Sequence, residues 1–351
     1  MSRIKPHVAV RKRRRPRSQQ GRWLDELWYG RHPLSLLLVP LAWLFRLAVL
    51  VRRKIYASGL LAIYHAPVPV IVVGNLTVGG SGKTPLVIWL AGYLQALGLR
   101  PGVVARGYGG RARQWPQQVR PDSDPAAVGD ESVIIARRTR CPVAVGPDRG
   151  AAIAALLKHT DCNIIISDDG LQHYALGRGV EIAVVDGVRR LGNARLLPAG
   201  PLREPPSRLR EVDFIITNGI AGRNEFAMKY VASNPVNLHR RELSLPFAEF
   251  VGAPVHAVAG IGNPQRFFAM LRGLGLTIIP HAFADHHRFK PADLEFGDEH
   301  PILMTEKDAI KCEVFCPSRC WMVPITAELP EIFARRLEDL LKRGEHGQEA
   351  A

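Results

Sequence analysis

Acidic residues are absent from the first twenty positions, where Arg3, Lys5, Arg11, Lys12, Arg13, Arg14, Arg15 and Arg17 stand. Those eight cations supply about half of the formal net charge of +15. The stretch reads as a disordered basic arm, a kind that meets nucleic acid and membrane surfaces equally well. No small-residue cleavage site follows it, so a secretory signal peptide is not expected. Cysteine is scarce: Cys141, Cys162, Cys312, Cys316 and Cys320. An odd count in a 351-residue chain argues for a reducing compartment and against a disulfide framework. The last three recur every fourth residue without a paired CxxC, which favours incidental thiols over a zinc site. An Asn-Lys-x-Asp motif is missing; "TEKD" puts Lys307 directly beside Asp308, which weakens a GTPase reading. No internal repeat, helix-turn-helix or RNA-binding signature occurs, so no nucleic-acid partner is expected and the excess charge is assigned to another anionic partner.

What is present is mostly apolar. "PLSLLLVPLAWLFRLAVLV" (33–51) holds one charge, Arg46, is followed by Arg52, Arg53 and Lys54, and is flanked by Trp23, Trp28, Tyr29 and Tyr56. It is expected to form a helix in or on a membrane with anionic headgroups, the single span being the alternative. From residue 68, short Val- and Ile-rich runs alternate with helical stretches: "VPVIVVGN", "PGVVARG", "CPVAVG", "NIIISDD", "EIAVVD" and "DFIITNG". Unbroken apolar runs of this length suit strands buried on both faces of a parallel sheet, and the alternation predicts a doubly wound α/β domain. "VHAVAGIGNPQRF", "LTIIPHAFADHH", "PILMTEKDAIK" and "CWMVPI" predict a second, smaller α/β domain. The expected organisation is a basic arm and interfacial segment (1–32), a membrane-associated helix (33–58), a nucleotide-binding domain (59–220), a linker (221–249) and the smaller domain (250–345).

"VIVVGNLTVGGSGKTP" (70–85) carries the chemistry. A strand runs into Thr77, Val78, Gly79, Gly80, Ser81, Gly82, Lys83 and Thr84, close to GxxxxGK[ST] except that Thr77 replaces the first glycine. The glycines let backbone amides face phosphate, Lys83 reaches the terminal phosphates and Thr84 can hold Mg²⁺. Pro85 falls in the first helical turn, where its missing N–H costs nothing. ATP and Mg²⁺ are the expected cofactors, on a P-loop NTPase-like fold. "NIIISDDG" ends an apolar strand in Asp168 and Asp169, either of which can face the metal. Arg106 of "ARGYGG" sits at another strand's carboxyl end, where ligands of open α/β sheets bind. Gln172 and His173 are close enough to position the aspartates.

"GNLTVGGSGKTP", "ARGYGG", "VGDE", "GPDRG", "DDGLQH", "LLPAGPLREP", "FADHH" and "TEKDAIK", in this order, resemble the tetraacyldisaccharide 4′-kinase (lipid A 4′-kinase) family of Gram-negative bacteria. The resemblance runs from the apolar segment to about residue 325. It implies transfer of the ATP γ-phosphate to the 4′-hydroxyl of a tetraacyl glucosamine disaccharide 1-phosphate, at the cytoplasmic face of the inner membrane. It also implies Asp130 as base, paired with His286 rather than His287. Glu131, Arg203 and Glu204 fall at positions that match the family's active site, Arg203 as a phosphate contact and Glu204 as a metal-side carboxylate. The rival reading is a nucleotide-hydrolysing switch of the metallochaperone or partitioning type; the "VGDE" and "DHH" pair counts against it.

Overall fold

In the computed structural model, residues 19–30 and 32–349 are described; the basic arm lies almost wholly outside them. The chain opens with α1 (Gln19–Tyr29), α2 (Leu34–Leu37) and α3 (Val39–Ala57). The apolar stretch expected as one helix is therefore divided after Leu37, and Pro40 sits in the first turn of α3. Leu38, Val39 and Phe45 pack toward the core, and Arg195 Nη1 donates to Ser35 Oγ at 2.7 Å. Leu37, Trp43, Leu44 and Leu47 face outward, each more than half exposed. Among the described residues no helix is long and apolar enough to cross a membrane. Arg46 and the run Arg52–Lys54, all inside α3, are the physical reason.

The larger sheet has nine strands. They are β1 (Val70–Gly74), β2 (Pro101–Ala105), β3 (Gln117–Val119), β4 (Val143–Val145), β5 (Ile164–Asp168), β6 (Val180–Asp186), β7 (Phe214–Asn218) and β8 (Phe226–Ala232), with β14 (Ile325–Glu328) returning at the edge. Their order is β14-β8-β7-β6-β1-β5-β2-β4-β3, parallel except for the β3–β4 and β14–β8 pairs. β1 lies between β5 and β6, so the chain winds both ways from it and leaves a crevice at its carboxyl end. The register sets Val73 opposite Asp168, which brings the turn after β1 beside the carboxylates after β5.

The helices α4 (Lys83–Ala96), α5 (Pro125–Val128), α6 (Asp130–Thr139) and α7 (Arg149–His159) complete this layer. Leu86, Leu90 and Leu94 keep one face of α4 fully buried, and Gly98 just beyond its end adopts positive φ, the expected cap. Each such leucine stabilises by about 1.5–3 kcal/mol through removal from water.

The smaller sheet, β11-β10-β12-β13-β9, is parallel except for β9. Its strands are β9 (Val236–Asn237), β10 (Val255–Ala259), β11 (Ile278–Ala282), β12 (Ile302–Thr305) and β13 (Cys320–Val323), with α8 (Pro264–Gly273) and α9 (Glu306–Cys312) between them. Residues 221–249, expected as a linker, instead contain β8 of the larger sheet and β9 of the smaller. The chain also returns: β14 and α10 (Glu331–Glu349) belong to the larger layer, where Phe333 and Leu337 are fully buried against Phe214, Phe226 and Trp89. The boundary placed at 250–345 thus takes in elements of both layers.

Candidate active site

The carboxyl edges of the two sheets face one another across a cleft of about 370 Å³. On the larger sheet β1 runs into the glycine turn, and α4 starts at Lys83 with Gly82 as its N-cap at φ 104°. A Cβ at Gly82 would also run into the Tyr230 hydroxyl, so no other residue fits. Thr77 is buried and bridges Leu202, while Val78 N donates to Pro201 O at 2.8 Å. The threonine in place of the first glycine is therefore a strand-like anchor to the "PLREP" segment.

Val78, Gly79, Gly80, Ser81, Lys83 and Thr84 all line the cleft. Lys83 Nζ donates to Asn75 Oδ1 at 3.2 Å and lies 3.4 Å from Asp169 Oδ1. Arg203 Nη1 reaches both Asp169 oxygens at 3.1 Å. Burial works against the Asp169 charge, but Lys83 and Arg203 outweigh it and hold the carboxyl below its usual range. Asp168 is the opposite case: burial, then the Glu131 carboxylate, push it up to about 7. Its Oδ1 is buried without a hydrogen-bond partner, and so is Ser81 Oγ. One aspartate is committed to cations and its neighbour is left unsatisfied.

Asp130 and Glu131 begin α6. Gly129 precedes them at φ 92°, and a Cβ there would stand 2.8 Å from Tyr108 O, so the sharp turn into the helix requires glycine. His286 comes from the loop after β11, itself at φ 58°. Its Nδ1 lies 3.7 Å from Asp130 Oδ2. The pair expected from the resemblance is thus brought together, one member from each sheet. His287 instead binds Asp293 at 2.9 Å. Arg106 is exposed and lines the cleft at the end of β2.

Glu204 is the correction. It is fully buried, accepts from Gln172 Nε2 at 2.9 Å and from the Tyr174 hydroxyl, and does not line the cleft. A carboxylate occupied in this way does not face a metal there. It holds Gln172, whose Oε1 accepts from Arg203 at 3.4 Å. Gln172 therefore bears on the aspartates as expected, through Arg203. Among the described residues the His173 ring makes no hydrogen bond to either aspartate, and burial, then Arg149, push it down to about 4.

Several cleft residues carry no sequence signal. Lys307 Nζ donates to Glu131 Oε1 at 2.9 Å and lies 3.4 Å from Asp285 Oδ1 and 3.3 Å from His286 Nε2. Burial opposes its charge, yet Glu131, Asp285 and Asp130 raise its pKa. Glu131 is correspondingly held low, Lys307 and Lys83 outweighing burial. Lys311 Nζ stands 3.5 Å from Asp130 Oδ2. Arg266 of α8 donates to Asn218 O at 2.9 Å and covers the Tyr230 ring. The three C-terminal-region cysteines are buried, and the described residues contain no cluster of three or more His, Cys, Asp or Glu side chains that could hold a metal.

A lysine-bearing glycine turn beside paired aspartates, with a carboxylate–histidine pair joining the two sheets, defines an α/β enzyme of the kinase class. The family model described as Tetraacyldisaccharide-1-P 4'-kinase matches residues 34–342, and the chain belongs to that family. Curated relatives named tetraacyldisaccharide 4'-kinase include one from Nitrosococcus oceani, 56% identical over 316 residues (90% of this chain, 93% of the relative). Another from Alkalilimnicola ehrlichii is 50% identical over 322 residues (91% and 97%). Among solved structures, LpxK from Aquifex aeolicus, described as in complex with ATP, aligns with a TM-score of 0.74 at 28% identity. It covers 88% of this chain and 99% of that one.

Proposed function

We propose that the cleft phosphorylates the 4′-hydroxyl of a tetraacyl glucosamine disaccharide 1-phosphate, with Asp130 as the base. The protein is an ATP-dependent tetraacyldisaccharide 4'-kinase of lipid A biosynthesis. Assignment of roles rests on one observation above all: buried Asp130 lies 3.7 Å from His286, which lines the cleft together with Lys83 and Asp168.

The turn 77–84 is the phosphate loop of a P-loop fold. Its amides and Lys83 take the β- and γ-phosphates, and Arg106 and Arg203 lie where added negative charge would gather. The 4′-oxygen forms a bond to the γ-phosphorus as the bond to the β–γ bridging oxygen breaks, and ADP leaves. The hydroxyl proton passes to Asp130, a step worth about 10²–10⁴-fold. His286 and Lys311 flank Oδ2, while Oδ1 accepts the Glu131 N–H at 3.0 Å. The orphaned Asp168 Oδ1 fits a divalent cation, and we assign Mg²⁺ to Asp168 and the Thr84 hydroxyl rather than to Asp169. Mg²⁺ would neutralise charge on the β- and γ-phosphate oxygens.

The outward leucines of α3, with Arg52–Lys54 behind them, suit a helix lying in the headgroup region of the cytoplasmic face of the inner membrane. An acylated substrate would be met there without leaving the bilayer. Transfer from γ-labelled ATP to a detergent-dispersed precursor extract tests the chemistry. Labelled lipid with wild type and none with Asp130→Ala is expected. Free phosphate alone from the wild type would overturn the transfer reading. Sedimentation with vesicles tests the helix: Leu44→Ser/Leu47→Ser is expected to lose binding, and unchanged binding would remove α3 as the contact.

A further inference from the structure

A second cavity, of about 580 Å³, lies at the carboxyl-terminal end of α3 and shares no lining residue with the cleft. Its wall carries Arg53, Lys54, Arg178 and Arg208 against two carboxylates, Glu181 and Glu211. Both carboxylates are already neutralised. Arg208 contacts both, Arg178 binds Glu181 at 2.9 Å, and Arg53 binds Glu211. Lys54 has no ion-pair partner among the described residues, and Arg52 beside it lies over the Tyr174 ring at 5.7 Å. Arg208 is 4% exposed, and its Nε stands 3.7 Å from Glu204 Oε1 without a hydrogen bond. Lys54 also offsets the partial negative charge of the helix end, but one cation suffices for that and three consecutive ones are present.

Position identifies the ligand. Leu50 belongs both to the outward apolar face of α3 and to the cavity wall. Acyl chains lying along Leu44, Leu47 and Val51 would bring their own headgroup to this cationic hollow. We infer that the cavity binds the phosphodiester headgroup of an anionic membrane glycerophospholipid, separately from the substrate lipid in the cleft. The inference rests on the interfacial reading of α3. Tyr174, Glu204, Gln172 and Arg203 form a bonded chain between the cavity and the cleft, so the two sites are neighbours without overlap.

The test is calorimetric titration of the full chain with dihexanoyl phosphatidylglycerol below its micelle concentration, beside dihexanoyl phosphatidylcholine and inorganic phosphate. The anionic lipid is expected to bind and the other two to bind far more weakly. Lys54→Glu should weaken it about tenfold, since each cation near anionic lipid contributes about 1 kcal/mol. Arg53→Gln should weaken it about fivefold on the same scale. Equal binding of the choline lipid or of free phosphate would overturn the headgroup assignment, and indifference to both substitutions would overturn the location. KM for the dispersed disaccharide should not change in Lys54→Glu. A rise matching the loss of phosphatidylglycerol binding would mean that the cavity takes the substrate's own 1-phosphate, and the proposal fails. Leu44→Ser/Leu47→Ser separates the two readings: it removes sedimentation with neutral vesicles while short-chain binding persists.

Discussion

The two walls of the cleft are held in different ways. The wall from the larger sheet is wired within itself: Lys83 to Asn75 and Asp169, and Arg203 to Asp169 and Gln172. The other wall reaches its place through bonds across the gap. Lys307 meets Glu131, His286 and Lys311 meet Asp130, Arg266 meets Asn218, and Arg189 donates to Gly262 O at 3.0 Å. The glycine-turn side is thus preformed, while the Asp130–His286 pair exists only when the sheets stand at this spacing. On the proposed assignment of Asp130 as base, such an arrangement would limit turnover of ATP without acceptor.

Substitutions on each wall should separate binding from turnover. Lys83→Ala strikes the preformed wall and should cost the most, about 10³-fold or more in kcat, together with weaker ATP binding read by equilibrium titration. Asp130→Ala should lower kcat by about 10²–10⁴-fold with ATP affinity kept. Because Asp130 and His286 act as one unit, the double variant should be no slower than Asp130→Ala alone; additive losses would break the pair. Lys307→Ala removes one crossing bond and should cost about tenfold in kcat, the scale of a lost charge-assisted hydrogen bond. ATP affinity in that variant should change little.

The smallest effect is on stability and sharpens the contrast between the two aspartates. The folded-state value of about 7 for Asp168 lies above its unfolded value. Protonation therefore favours the fold, and that contribution is full below about pH 4 and lost as pH rises through 7. Asp168→Asn should accordingly raise the stability of the metal-free protein at pH 8 by on the order of 2 kcal/mol and change little at pH 4. Thermal unfolding in EDTA at the two pH values checks it. A loss of stability at pH 8 would show that the carboxylate is satisfied in a way the geometry does not reveal.

The strands of both sheets were legible where they are buried on both faces, since β1 is an unbroken apolar run and β5, β6, β7 and β10 are apolar but for one or two residues each. The edge was not legible. Phe226–Ala232 alternates between buried and exposed positions, and Ile325–Glu328 pairs with it across more than ninety residues of sequence. No local pattern announces so distant a partner. The glycine turn before α4 was readable because its spacing is local, and the meeting of Asp130 with His286 because a resemblance supplied the pairing. Lys307 and Lys311 were invisible for the reason that β14 was: their partners come from another layer. Glu204 was expected on the metal side and instead turns toward Gln172 and Tyr174, a direction that only packing decides.

The return of β14 and α10 to the larger layer has a consequence for the nascent chain. Phe214, Phe226 and Trp89 have their cover only once Phe333 and Leu337 have been made. During synthesis at about 5–20 residues per second, the ribosome must add roughly a hundred residues after β8 before that hydrophobic edge closes. The smaller sheet, whose strands fall between, can fold first and wait. The last helix is therefore the closing piece of a sheet begun near residue 70, and a chain stopped short of residue 325 leaves an open strand and three bare aromatic rings for chaperones or neighbouring chains to find.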